Sequence, residues 1–558
     1  MTWMQNYNPL GSLGLSALVA AVPLFILLYM LGIRRAKGHH AAFFGTLSAV
    51  LLAILVWGMP VQLAAMATLN GMLFGLFPVV WIIITAIWVY NMTVESGEFE
   101  IIKNSLACIT DDRRLQALFI AFAFGSFIEG TAGFGTPVAI TAAMLAGLGF
   151  QPVYAAGVCL IANTAPVAYG AIGIPIVVAA GVTGLDMMSI SKIVGRQLPF
   201  LSVIVPLWLV VTMSGWKAAM EVLPAIIVTG VCFAVSQFVV SNFIGPYLPD
   251  IIAAIVTIAG LGIFLRFWKP PTVWRFNGVA PTEKVTCLYA TGAVIRAWIP
   301  YGILAIMVFL WGLTSVKALL TPLGTTFQWP LLHNLVIKTA PIVAKNTPYP
   351  AVFAVNIGTA AGTAIFIAGL LSVLAIPNYG FGKAFACLGR TIKTLKWAIA
   401  TVSMILGLAW IMNYSGMSST LGLAFTATGV LFPIFSPILG WLGVFPTGSD
   451  TSSNALFGAL QKTTAQQIGV DPALMVAANS SGGVCGKMIS PQSLAVATAA
   501  TNMVGEEGTI FRFTLKHSIA MVLVYLEAQH RHGPGHFGYH PAPGLCPEVD
   551  AALIVIAH

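Results

Sequence analysis

Long apolar runs, separated by short polar or basic loops, follow one another from residue 12 to about residue 527. Clean runs cover 12–33, 41–57, 61–92, 198–213, 221–242, 249–267, 298–315, 351–376, 398–413 and 420–445. Most approach or exceed the roughly 20 residues of a membrane-crossing helix. Four polar breaks interrupt otherwise apolar surroundings, at 129–137, 163–175, 446–454 and 479–491. The pattern predicts an all-α polytopic membrane protein of about 12–14 transmembrane spans.

The breaks fall in corresponding places. Gly130-Thr131 faces Gly448-Ser449, the turn 148–152 faces 468–472, and Asn163-Thr164 faces Asn479-Ser480. This predicts a first transmembrane half at 1–267, a basic midpoint loop at 268–297 and a second half at 298–527. The halves are expected to be inverted repeats, each with broken or re-entrant helices, which is where transporters place their sites. Residues 528–558 are atypical and expected to be a disordered tail, because the apolar pattern from Ile519 stops near Leu526.

Composition excludes a water-soluble fold: 58% of residues are hydrophobic and 8% charged, against about 25% charged in soluble domains. The net charge of +9 lies in short loops rather than on a surface for nucleic acid. By the positive-inside rule the N-terminus is outside, and the loops holding Arg34, Arg266 and Lys393 are cytoplasmic. The first break is then reached from the cytoplasm and the second from outside. The seven cysteines have no Cys-x-x-Cys spacing and are expected as small buried residues, not disulfides or metal ligands. No metal and no cofactor are expected. An enzyme is disfavoured, since the breaks hold no His-Glu-x-x-His motif and no nucleophile–base pair.

Glu129 is the only Asp, Glu, Lys or Arg between Leu115 and Leu185. A charge there is costly unless paired, hydrated or protonated. Glu129 and Asp450 are therefore proton-coupling candidates; otherwise each is a structural carboxylate that caps a half-helix or pairs with a base. Lys487 either meets a substrate carboxylate, snorkels to the interface or neutralises Asp450. Thr131, Gly133, Gly135, Asn163, Thr164, Ser449, Thr451, Ser452, Asn454, Asn479, Ser480 and Ser481 are substrate-binding candidates. The polar side chains among them offer amides and hydroxyls to a hydroxy acid, or else cap broken helix ends.

Five strings resemble the lactate permease family: Trp3-Met-Gln-Asn-Tyr-Asn-Pro9, 125–137, Asn163-Thr-Ala-Pro-Val-Ala-Tyr-Gly170, 447–458 and 479–492. The resemblance runs from Met1 to about Ser518. It implies a secondary active transporter that imports L-lactate, with D-lactate and glycolate, by proton symport across the bacterial inner membrane. It also implies inverted repeats with re-entrant hairpins. A sodium-coupled carboxylate carrier and a monocarboxylate or anion channel are the alternatives. From about Ile519 the chain departs from the family, and the changed tail looks like the product of a shifted reading frame.

Overall fold

The computed structural model describes residues 2–531 except Arg35, Phe134 and 277–285. The expected disorder of the tail falls largely on 532–558, outside the described residues. Among the described residues the molecule is all-α apart from five short strands. Among the described residues nine helices are long and apolar enough to cross a membrane, ten if Pro152–Ala162 and Val167–Thr183, bent by 63°, count as one broken span. The expectation of about 12–14 spans is higher because apolar pieces that turn back inside the protein read like spans.

Those pieces form two hairpins. In the first, the continuous helical stretch 113–131 turns around Gly133 and Gly135 and returns as Thr136–Gly147. A Cβ on Gly125 would meet the Thr141 methyl at 3.6 Å, which places the two arms side by side. Glycine makes the tip, with Gly133 at φ +60 and Gly135 at φ +84, a region open to glycine and strained for other residues. In the second hairpin Phe432–Thr447 turns at Gly448 (φ +66) and returns as Asp450–Ile468.

The hairpins enter from opposite faces. At the base of the first, buried Arg114 donates to Asp112 (2.7 Å), to Glu221 (2.9 Å) and to the carbonyl of Thr272, beside the basic midpoint loop. At the far end of the second, Gln467 donates to the carbonyl of Pro341. The helix Thr291–Gly312 carries the chain from the midpoint loop to the segment containing Pro341. Its 22 residues span about 33 Å, a membrane thickness. The strand Trp3–Met4 pairs in parallel with Val336–Lys338, so the N-terminus shares the face of Pro341.

Each hairpin is followed by a second interruption. After the first come Pro152–Ala162, a bend at 163–169 and Gly170–Thr183; after the second come Pro472–Lys487, a bend at 488–490 and Pro491–Ala500. The interruptions are narrower than the sequence pattern implies. Glu129 lies in the last full turn of a helix, and Asn479, Ser480 and Ser481 lie within an unbroken one. These three therefore do not cap helix ends.

Two expectations are corrected. Cys108 and Cys287 are joined, with Cα atoms 5.4 Å apart, fastening the segment after Glu98–Ala107 to the midpoint loop. Cys159, Cys387 and Cys485 are buried free thiols as expected, and Cys232 is partly buried. The last helix runs from Glu507 to Arg531, so it starts twelve residues before Ile519 and is long enough to span. Its polar first turns hid that start.

Candidate functional site

The hairpin tips and the two bends meet at the centre, around a small cavity of about 50 Å³. Its walls include Gly133, Gly170, Ala171 and Pro175 from the first repeat and Ser449, Asp450, Thr451 and Lys487 from the second. Glu129 stands at the same cavity, 3% exposed. The Lys487 ammonium donates to Glu129 Oε1 at 2.5 Å, and the Asn163 amide donates to Glu129 Oε2 at 3.0 Å. A Cβ on Gly170 would fall 2.5 Å from Glu129 Oε1, so glycine leaves the room this carboxylate occupies.

Asp450 has a corresponding shell in the other repeat. Its Oδ2 accepts from Ser480 Oγ at 2.5 Å and from Asn454 Nδ2 at 3.3 Å, while Oδ1 is buried without a partner among the described residues. Asn479 donates to Asn454 Oδ1 (2.9 Å), and Gln461 donates to Asn479 Oδ1 (3.0 Å). A buried polar chain thus runs along the second hairpin to Asp450. Such a network holds its members in one arrangement when fully satisfied. The orphaned atoms mark where a water or ligand would complete it.

The other predicted residues divide. Gly133, Ser449 and Thr451 line the cavity, and Ser449 also caps its helix by accepting from Ser452 N at 3.2 Å. Thr164 Oγ1 and Asn163 Oδ1 are buried beside the first bend without partners among the described residues. Thr131 bonds back to Phe127 O in its own helix. Ser481 donates to Gln197 Oε1 at 2.8 Å, Gly135 faces Val496, and Ser452 lines a neighbouring cavity instead.

One residue was missed. Asp250 lies in the first turn of Pro249–Phe267, 1% exposed, with both carboxyl oxygens lacking hydrogen-bond partners among the described residues. It packs behind the first hairpin: a Cβ on Gly130 would sit 2.9 Å from the Asp250 Cβ. The sequence carried the signal, because Asp250 is the only charged residue between Glu221 and Arg266.

Two larger cavities flank the centre. One of about 730 Å³ lies on the face of the Arg34 loop, lined by Gly38, Thr401, Thr447 and Pro491. It shares Ser449 and Gln492 with the central cavity. The other, about 570 Å³, lies on the Pro341 face and shares no lining residue with the centre. Between them, Gly170–Thr183 is stitched to Asp450–Ile468 by Asn454 Nδ2 to Pro175 O (3.2 Å) and Lys462 Nζ to Thr183 O (2.6 Å). The centre is therefore closed toward the N-terminal face and adjoins the cavity on the basic face.

Paired hairpins and paired broken helices thus bring a buried charge cluster between two cavities. Residues 16–528 match the family described as L-lactate permease. The chain belongs to that family. It is 52% identical over 542 residues to the glycolate permease of Escherichia coli K12, covering 94% of this chain and 97% of that one. It is 49% identical to the L-lactate permease of Bacillus subtilis (94% and 97% covered) and 48% identical to the L-lactate permease of E. coli K12 (94% and 96%). Among solved structures it is similar to MtrF of Neisseria gonorrhoeae at a TM-score of 0.45 and 12% identity, over 86% of this chain and 83% of that chain. The family match extends past Ser518 into the last helix. The protein is thus a multi-pass membrane permease.

Proposed function

We propose that this protein is a secondary active transporter importing L-lactate, D-lactate and glycolate across the bacterial inner membrane by proton symport. The names of its relatives support the substrate class. The observation that carries the coupling is the buried Glu129–Lys487 pair.

Breaking a buried pair by removing one partner is strongly destabilising, because the other charge is left bare. Lys487 therefore leaves Glu129 only for another anion, and Glu129 lets it go at least cost when it takes up a proton. A monocarboxylate supplies the anion and the imposed gradient supplies the proton. Glu129⁻ with Lys487⁺ is neutral; protonated Glu129 with Lys487⁺ and a bound carboxylate is neutral too. One proton per monocarboxylate therefore leaves the net charge around the Glu129–Lys487 pair the same in both states. Asp450 forms the facing wall, held from behind by Asn454 and Ser480, and the orphaned Asn163 Oδ1 and Thr164 Oγ1 beside the first bend are the acceptors we assign to a substrate hydroxyl. Movement of the hairpin-bearing units against the Phe381–Ser415 scaffold then opens the site to alternate faces.

The test is labelled L-lactate uptake into proteoliposomes, with and without an inward proton gradient, at fixed sodium. Accumulation above equilibrium that needs the gradient is expected. Uptake that only equilibrates would favour a channel, and accumulation that follows sodium would favour a sodium carrier.

A further inference from the structure

Among the described residues, the lining of the cavity on the Pro341 face holds two lysines and no acid. Lys338 ends the strand Val336–Lys338, and its ammonium lies 3.8 Å over the ring of Tyr349. Lys462 projects from the second hairpin into the same space. Both are partly buried, and neither forms an ion pair among the described residues. Asn413, Tyr414, Asn70 and Asn356 are among the polar residues of the same wall. Two like charges withdrawn from water, without a carboxylate between them, repel and are poorly solvated. An anion relieves both costs at once.

We propose that this outer cavity is an anion-capture site, in which Lys338 and Lys462 hold a monocarboxylate before it reaches the central site. The proposal rests on the transporter reading. It adds a step that reading lacks, because the same lysine closes the way inward. Lys462 spends its hydrogen bond on Thr183 O at 2.6 Å, the outermost stitch between Gly170–Thr183 and Asp450–Ile468. A captured carboxylate competes for that ammonium and loosens the stitch. Among the described residues Asn454 to Pro175 O is then the remaining side-chain hydrogen bond between these two helices, and both also line the centre. Anion arrival thus weakens the outer closure, which ties opening to the presence of cargo.

The first experiment uses the full-length protein in right-side-out membrane vesicles. A membrane-impermeant amine-acylating reagent is applied and modification at Lys338 is read by peptide mass spectrometry. Saturating L-lactate is expected to lower that modification about threefold or more by mass action, while chloride at equal ionic strength does not. Equal modification with and without lactate overturns the proposal. So does equal protection by chloride, which would mean only screening, or modification confined to inside-out vesicles. If lactate protects Lys338 in a protein that never accumulates lactate, the transporter reading fails and the capture site stands. In uptake assays Lys338→Gln and Lys462→Gln should each raise KM about tenfold, the loss of one charge-assisted contact, with a smaller effect on Vmax. Lys338→Arg and Lys462→Arg should stay near the parent. An unchanged KM in both glutamine variants also overturns the proposal, and the protection assay on the unaltered protein decides the matter if a variant fails to assemble.

Discussion

Glu129 and Lys487, 358 residues apart in the chain, meet at 2.5 Å in the middle of the protein. One belongs to the hairpin of the first repeat, the other to the broken span of the second. The contact is therefore a lock between repeats as well as a charge pair. Any ligand that takes Lys487 from Glu129 also alters how the two repeats are held together. Coupling between cargo, proton and conformation needs no longer path than this.

Glu129→Gln keeps the shape and the Asn163 contact but removes the carboxyl to which we assign the proton. Gradient-driven accumulation of lactate should fall to the equilibrium level, whereas exchange of lactate for lactate should persist. Lys487→Gln should abolish both and leave Glu129 bare, at a cost of about 3–5 kcal/mol. The double variant should recover much of the stability lost by Lys487→Gln without recovering transport. Thermal unfolding in detergent, beside the two flux assays, checks all three outcomes. Retained accumulation in Glu129→Gln would remove this residue from the coupling step.

Gly170→Ala tests the geometry without touching a charge. The new methyl would fall 2.5 Å from Glu129 Oε1, so either the carboxylate or the first bend must shift. Overpacking of this kind costs about 1–3 kcal/mol, and uptake should fall about tenfold or more while the protein still reaches the membrane. Gly147→Ala, where a Cβ meets nothing within 4 Å, is the matched control and should transport normally.

Asp250 presents a sharper problem. Its two carboxyl oxygens make no well-formed hydrogen bond among the described residues, although the Gln237 amide stands near, and it lies close enough to feel the charges of Glu129 and Lys487, with Tyr169 also nearby. An unpaired buried carboxylate costs several kcal/mol. If Asp250 only fills space, Asp250→Asn should transport like the parent. If it meets a proton or a donor when the first hairpin moves, Asp250→Asn should fold at least as well and yet lose accumulation. We expect the second outcome: an unchanged or higher Tm, with accumulation reduced about tenfold. Parental uptake by the variant would show that Asp250 has no part in coupling.

The acids and the breaks were legible because a lone charge in a greasy run is visible without any contact. Asp250 carried the same signal, yet it follows Leu248-Pro249 at the start of a clean apolar run, where an acid also reads as an ordinary helix beginning. The return of residues 136–147 alongside 113–131 was less legible in detail, since hydropathy does not record whether a chain continues or turns back. The cluster Asn479-Ser-Ser-Gly-Gly-Val-Cys-Gly486 reads as a break by composition. Its glycines instead serve close packing: a Cβ on Gly486 would lie 2.5 Å from Trp441 O, and one on Gly482 equally close to the Pro437 Cα. The strands at 325–355 and the Lys338–Lys462 cavity rest on tertiary neighbours that no local pattern encodes.

The outer lysines also predict how external pH acts. Burial, with the nearby charge of Lys462, brings Lys338 down to about 8. Its charge is therefore held below that pH and lost as pH rises through it. Tyr349, which faces it, is pushed up to about 12 and stays neutral over the same range; Tyr247, Tyr414 and Lys462 are the other titratable groups among the described residues of the cavity wall. Capture of an anion should weaken as external pH goes from about 7 to about 9, by about tenfold in KM for the loss of one charged contact. The driving gradient is kept constant by moving the internal pH in step. Lys338→Arg keeps its charge throughout, because a guanidinium does not titrate here. Its KM should stay flat where that of the parent rises. Parallel curves for the two proteins would place the pH dependence at the centre, with Glu129, rather than at the outer cavity.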